Sequence, residues 1–209
     1  MRIFASGDDH RSPAPDDLFQ LKVKGDYLRF LKSEVRPGDL YVHLGDTWEG
    51  WEYDLAESVE AHLDLWKPEI NHLFLEGNHE DPTIALLNLL MPERFMKSFE
   101  AEGFLFLHGH IFDHLLDEPR EMIIAMHMAR LYRYTKQYAL SRWIKAQVDK
   151  SHRQNGPYLE EFKKRGWTHV LWGHTHKYYR TGTIGNPGNF PTYRTILVVE
   201  KGTLTEVTI

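Results

Sequence analysis

Tyr41-Val-His-Leu-Gly-Asp-Thr-Trp-Glu-Gly50 is an apolar run that stops abruptly at Gly45-Asp46. It reads as a buried strand closing in a tight turn, with a carboxylate left at the strand's C-terminal edge. Four other segments place Asp, Asn or His beside glycine at the end of an apolar run. They are Ser6-Gly-Asp-Asp-His10, Leu75-Glu-Gly-Asn-His-Glu80, Phe104-Leu-Phe-Leu-His-Gly-His110 and Leu171-Trp-Gly-His-Thr-His176. In an open α/β sheet, ligands bind outside the carboxyl ends of the strands. The five tips are therefore expected to meet, with Asp46 at their centre.

The rest of the chain agrees with a sheet of this kind. Strands are expected at Arg2–Ser6, Leu40–Leu44, Ile70–Leu75 and Thr168–Trp172. Helices are expected over Lys24–Glu34, Leu55–Trp66, Pro82–Leu90 and Tyr158–Lys164. Phe95–Phe99 and Phe104–Leu107 read as a hairpin about Glu102-Gly103, and Tyr193–Glu200 with Leu204–Ile209 as another about Lys201-Gly202. The early strand–helix alternation implies parallel pairing and the late hairpins make the sheet mixed. From Glu118 to Lys150 neither Gly nor Pro interrupts a helical run after Pro119. Residues 115–166 are read as a helical cap inserted within one domain that spans residues 1–209.

Composition narrows the chemistry. The 209 residues include no cysteine, which excludes thiolate metal sites, disulfides and cysteine nucleophiles, and they include 13 histidines. The net charge of −5 conceals a division: residues 120–165 carry +7 and the remainder −12. An acidic body suits cations, and a basic segment suits an anionic substrate. No run of 18 apolar residues occurs, so no transmembrane helix is expected. A first strand starting at Arg2 leaves no room for a signal peptide, and the expected location is cytoplasmic.

Asp8, His10, Asp46, Asn78, His108, His174 and His176 form a carboxylate, imidazole and amide set suited to Mn, Fe, Zn and related divalent ions. Seven ligands exceed what one tetrahedral ion takes, and they suit two ions about 3.5–4 Å apart. In order along the chain, Asp-x-His, Gly-Asp, Gly-Asn-His-Glu, His-Gly-His and Gly-His-x-His resemble the motifs of the calcineurin-like metallophosphoesterase superfamily. The resemblance covers residues 8 to 176. It implies an α/β fold, a mixed β-sandwich flanked by helices. One metal would take Asp8, His10, Asp46 and His176, and the other Asp46, Asn78, His108 and His174. The implied reaction is hydrolysis of a phosphodiester or pyrophosphate by in-line attack of a metal-bridging hydroxide. His79 would be the catalytic residue outside the metal shells, stabilising phosphoryl oxygens or protonating the leaving oxygen. Manganese is the first choice of ion, with Fe, Zn, Ni and Co as alternatives. Asp9 and His110 stand undecided. His43 and His72 fit no motif and are read as structural or surface groups.

Two resemblances bear on substrate. Gly45-Asp46-Thr-Trp-Glu-Gly-Trp51 and the helical insertion are similar to features of UDP-diacylglucosamine pyrophosphatases. A lipid-linked substrate would then use an apolar face at Met122–Leu131 and the basic residues Arg130 and Arg133, with Trp48 and Trp51 lining the cleft. The same insertion, with Tyr132, Tyr134, Tyr138 and Trp143 among its basic residues, also suits nucleic acid or nucleotide. Those pyrophosphatases carry arginine after Gly-Asn where this chain has His79. Asn186-Pro187-Gly188 is similar to a loop of small bacterial and archaeal phosphodiesterases. Both features favour a small phosphorylated substrate of the broader group.

Overall fold

The computed structural model describes residues 1–14, 17, 19–48, 55–61, 69–79, 94–115, 127–128, 131, 135, 140, 143–144 and 154–209. The expected helix at 82–90, the second half of that at 55–66 and most of residues 116–153 of the cap lie outside them.

Strand β1 (Arg2–Ser6) leads through a π-helical turn (Phe19–Val23) into α1 (Lys24–Glu34), followed by β2 (Leu40–His43). Next come α2 (Leu55–Glu60), β3 (Asn71–Leu75), β4 (Phe95–Met96), β5 (Ser98–Ala101) and β6 (Phe104–Leu107). A 3-10 helix (His110–Leu115) precedes α3 (Gly156–Lys164), β7 (Val170–Trp172), β8 (Tyr179–Thr181) and β9 (Ile184–Asn186). The chain closes with α4 (Phe190–Tyr193), β10 (Thr195–Glu200) and β11 (Thr203–Thr208).

Among the described residues these strands make two mixed sheets, ordered β11-β10-β1-β2-β3-β4 and β5-β6-β7-β9-β8. Pairing is parallel from β1 to β4 and from β6 through β7 to β9, and antiparallel at the remaining junctions. The side-chain period of two explains how they stack. Ile3 and Ala5 of β1, with Val42, Leu73 and Leu75, pack against Phe104, Phe106 and Leu171 of the second sheet. The alternate residues Phe4 and Tyr41 face outward and meet Tyr27, Phe30 and Leu31 of α1. On the far side, Leu107, Val170 and Trp172 meet Tyr158 and Phe162 of α3. The architecture is a β-sandwich with helical outer layers.

One expected strand divides. The hairpin about Glu102-Gly103 forms, with Ser98 and Phe99 opposite Leu107 and Phe106, but Phe95 and Met96 pair instead with Phe74 and Leu75 in the first sheet. The chain crosses between sheets at Lys97 because Phe95 and Phe99 enter different packing environments, Phe95 beside Phe74 and Phe99 beside Phe106. Tyr193 likewise ends the short α4 rather than starting a strand. The π-helical turn had no sequence signal.

Candidate metal centre

All five expected tips converge at the C-terminal ends of the parallel strands. Asp8 and His10 follow β1, Asp46 follows β2, Asn78 and His79 follow β3, His108 follows β6, and His174 and His176 follow β7. Adjacent parallel strands put their ends side by side, so short loops after each suffice. Main-chain bonds join the first two loops: the N–H groups of Asp8, His10 and Arg11 donate to the carbonyls of Gly45, Asp46 and Thr47.

The loops after β1, β2 and β7 place ligands on left-handed backbone. Asp8, His10, Asp46, His174 and His176 all have positive φ, between 48° and 72°. Side chains rarely adopt this conformation, which costs about 1–2 kcal/mol per non-glycine residue. Such strain persists only where the surroundings impose it. Gly45 shows how tightly they do: a Cβ there would lie 2.5 Å from His108 Nδ1, at a φ of +86°.

The side chains form two overlapping groups. Asp8, His10, Asp46 and His176 offer ligand atoms within 4.8 Å of one another, and so do Asp46, His108 and His174. Asp46 belongs to both. Asn78 joins the second group, its Oδ1 3.1 Å from His108 Nε2. The side chains of these motif residues thus lie together in two groups that share Asp46.

The donor chemistry fits cations. His108 donates its Nδ1 hydrogen to the Leu44 carbonyl at 2.7 Å, which leaves Nε2 as a lone pair. That lone pair faces Asp46 Oδ2 at 3.3 Å, His174 Nδ1 at 3.2 Å and Asn78 Oδ1. Nε2 of His10 and of His176 stand 2.9 Å apart. Electron-rich atoms aimed at one another are the arrangement a divalent ion requires. The carboxyls respond to the crowding in opposite directions. Burial, opposed by His108, pushes Asp8 up to about 6. Asp46 is equally buried, but positive charge on His108 and His79, when those rings are protonated, holds it well below the usual carboxylate range. Burial also drives His176 well below the ordinary imidazole value.

His79 lies in neither group. Its N–H donates to Asp46 Oδ1 at 2.9 Å, its Nε2 is 3.8 Å from Asp46 Oδ2, and its ring centroid is 4.5 Å from that of His10. His110 borders the second group, its ring 5.4 Å from His108. Trp48 is 3% exposed and stacked on Phe74 at 4.9 Å, so its ring packs in the interior rather than lining an open cleft. Trp51, Arg130 and Arg133 lie outside the described residues.

Supporting residues emerge around these ligands, Thr175, Asn155 and Asn189 among them without a motif to mark them. Thr175, between two histidines, donates to Asn155 Oδ1 at 2.6 Å and accepts from Asn186 Nδ2 at 3.0 Å. Asn186 also donates to the Gly173 carbonyl, and Asn189 to that of Asp8. The Asn-Pro-Gly loop therefore braces the His174–His176 loop. His43 and His72 are not surface groups: both are buried, their rings are stacked, and His43 lies flat on Phe74. Burial lowers His43 to about 4 and His72 to about 2.

The family model for calcineurin-like phosphoesterases matches residues 1–178. The chain belongs to the calcineurin-like phosphoesterase family, and it is a metal-dependent phosphoesterase. Similar folds include a conserved uncharacterized protein, a predicted phosphoesterase, from Streptococcus pneumoniae, at 13% identity, TM-score 0.39, and coverage of 100% of this chain and 97% of that one. Another is Vps29 complexed with zinc from Entamoeba histolytica, at 11% identity, TM-score 0.46, and coverage of 99% and 90%. A third is the protein AQ665 from Aquifex aeolicus, at 16% identity, TM-score 0.43, and coverage of 98% and 95%. A search of curated protein sequences returned no match. No helix among the described residues is long and apolar enough to cross a membrane.

Proposed function

We propose that the protein hydrolyses a phosphodiester or pyrophosphate at a dinuclear centre, with Asp46 as the ligand common to both ions. The observation that carries this reading is the membership of Asp46 in both ligand groups. Asp8, His10 and His176 would complete one coordination shell, and Asn78, His108 and His174 the other. Two divalent ions in such shells supply an activated water and neutralise charge on the phosphoryl oxygens.

The protein's own groups do the rest. The Leu44 carbonyl fixes the His108 tautomer, and the N–H of His174 donates to Asp8 Oδ1 at 2.8 Å, so both ligands are aimed before substrate arrives. His79 stands beside the centre without belonging to it. Its imidazole is the group available to stabilise the phosphoryl oxygens and to give a proton to the leaving oxygen. Manganese is the proposed ion, since a set rich in imidazole and carboxylate accepts it. The +7 balance of residues 120–165 supports an anionic substrate approached by that segment, which we assign as a cap within the single domain. Histidine at position 79 supports a nucleotide or other small diester over a lipid-linked pyrophosphate.

The test is turnover of an aryl phosphodiester by chelated protein before and after Mn²⁺ is restored. Inactive chelated protein that recovers with Mn²⁺ supports the reading, and full activity after thorough chelation overturns it. Steep loss of binding with salt would move the substrate from a small diester to a nucleic acid.

A further inference from the structure

The loop Asp8-Asp9-His10 sends two side chains to the candidate centre and the third away from it. Asp9 Oδ2 lies 2.6 Å from Arg11 Nη2 and 3.7 Å from His43 Nδ1. Asp9 and Arg11 are 2% and 3% exposed. The Arg11 guanidinium sits over the rings of Phe19 and Tyr27, at 4.5 and 5.2 Å. Its main-chain N–H donates to the Thr47 carbonyl at 2.9 Å, one residue beyond Asp46. Residues 8 and 10 thus face the centre, and residues 9 and 11 clasp each other behind it.

A buried ion pair is a weak source of stability, because apolar side chains of similar volume often serve as well. What it provides is direction. A short charged contact between residues two apart fixes the Asp9 side chain against an arginine that itself lies over the rings of Phe19 and Tyr27. The peptide units on either side of Asp9 belong to Asp8 and His10, whose φ values are 55° and 48°. Strained backbone of this kind needs a restraint on each side. The Gly45–Thr47 loop supplies one through main-chain bonds, and the Asp9–Arg11 pair supplies the other.

We infer that Arg11, acting through Asp9, is a positioning residue that holds Asp8 and His10 in register with Asp46 and so sets cation affinity at the Asp8/His10/Asp46/His176 group. The inference rests on the metal-centre reading above. It predicts that the pair governs one ion and leaves the His108/His174 group untouched.

The experiment is calorimetric titration of chelated protein with MnCl2, beside its thermal transition, for the native chain and for Asp9→Leu/Arg11→Met. The double substitution removes one charge of each sign, so the net charge near the centre is unchanged. The expected result is a native-like transition with one of two Mn²⁺ affinities weakened about 10- to 100-fold, the range for lost outer-shell partners. Two native affinities would overturn the inference. If the double variant does not fold, Arg11→Lys decides: it keeps the charge and loses the planar fork. One weakened affinity in folded Arg11→Lys supports positioning, and native binding overturns it. A native chain that takes up no Mn²⁺ overturns the metal-centre reading itself, a result distinguishable from either.

Discussion

Left-handed backbone serves two different regions of this molecule. In the hairpins it occurs at Glu102-Gly103 and Lys201-Gly202, where both residues of a two-residue turn have positive φ. Those turns are exposed, and their twist matches that of the strands they join, so the conformation is repaid on the spot. At the strand tips it occurs at Asp8, His10, Asp46, His174 and His176, buried or half-buried and without a matching hairpin. There the strain is balanced by surrounding contacts, and its product is a set of side chains pointing at one place. The same dihedral angles close a turn in one region and aim ligands in the other.

The largest effect expected from disturbing the aimed region is chemical. Asp46→Asn keeps a side chain that tolerates left-handed backbone, so the thermal transition should stay near native. Turnover of an aryl diester with Mn²⁺ should fall at least about 1000-fold, about 4 kcal/mol of barrier. A modest loss would break the assignment of Asp46 as the common ligand. His79→Ala comes next, with turnover reduced about 100- to 10,000-fold and the bound metal, measured by elemental analysis, unchanged. Metal lost along with activity would move His79 into a coordination shell.

The two regions can then be compared through their glycines. Gly45→Ala adds a Cβ that strikes the His108 ring as well as straining the backbone, and should lower stability by about 3 kcal/mol in urea titration. Gly103→Ala meets nothing within 4 Å and should show the backbone strain alone, about 1 kcal/mol. Equal losses would mean that His108 has room to move.

A pH series gives an effect between these two. His43 binds a proton near pH 6.5 when unfolded but only near pH 4 when folded, so the unfolded chain holds more protons between those values. Stability contributed by neutral His43 is therefore complete above about pH 6.5 and is lost as pH falls toward 4. The loss should approach 2 kcal/mol at pH 5. A flat profile from pH 7 to 5 would show that His43 is hydrated in solution.

Much of this was legible in the residues, for definite physical reasons. Apolar runs ending beside glycine located the β1, β2, β3, β6 and β7 tips, because parallel strands with covered faces must be apolar and ligand loops need tight turns. The partition of ligands around Asp46 came from family resemblance, since nothing in local spacing says that His176 joins Asp8 while His174 joins His108. What escaped was whatever depends on neighbours distant in sequence. His43 and His72 read as unplaced histidines because burial in a polar pocket leaves no periodic trace. Asp9 stands undecided in the sequence, and nothing there marks Arg11 as its buried partner. The Lys97 crossing was invisible because Phe95 and Phe99 are equally apolar, and only the sheets assign them different partners.

The place of β1 in its sheet has a consequence for biosynthesis. β1 lies between β2, made soon after it, and β10, whose residues Leu197 to Glu200 are synthesised long after both. The carbonyl of Asp8 also waits for Asn189. A ribosome that has produced the first 180 residues has made every member of both ligand groups without the strand that seats the first of them. The seating of Asp8 by β10 and Asn189 therefore comes after every ligand has been made.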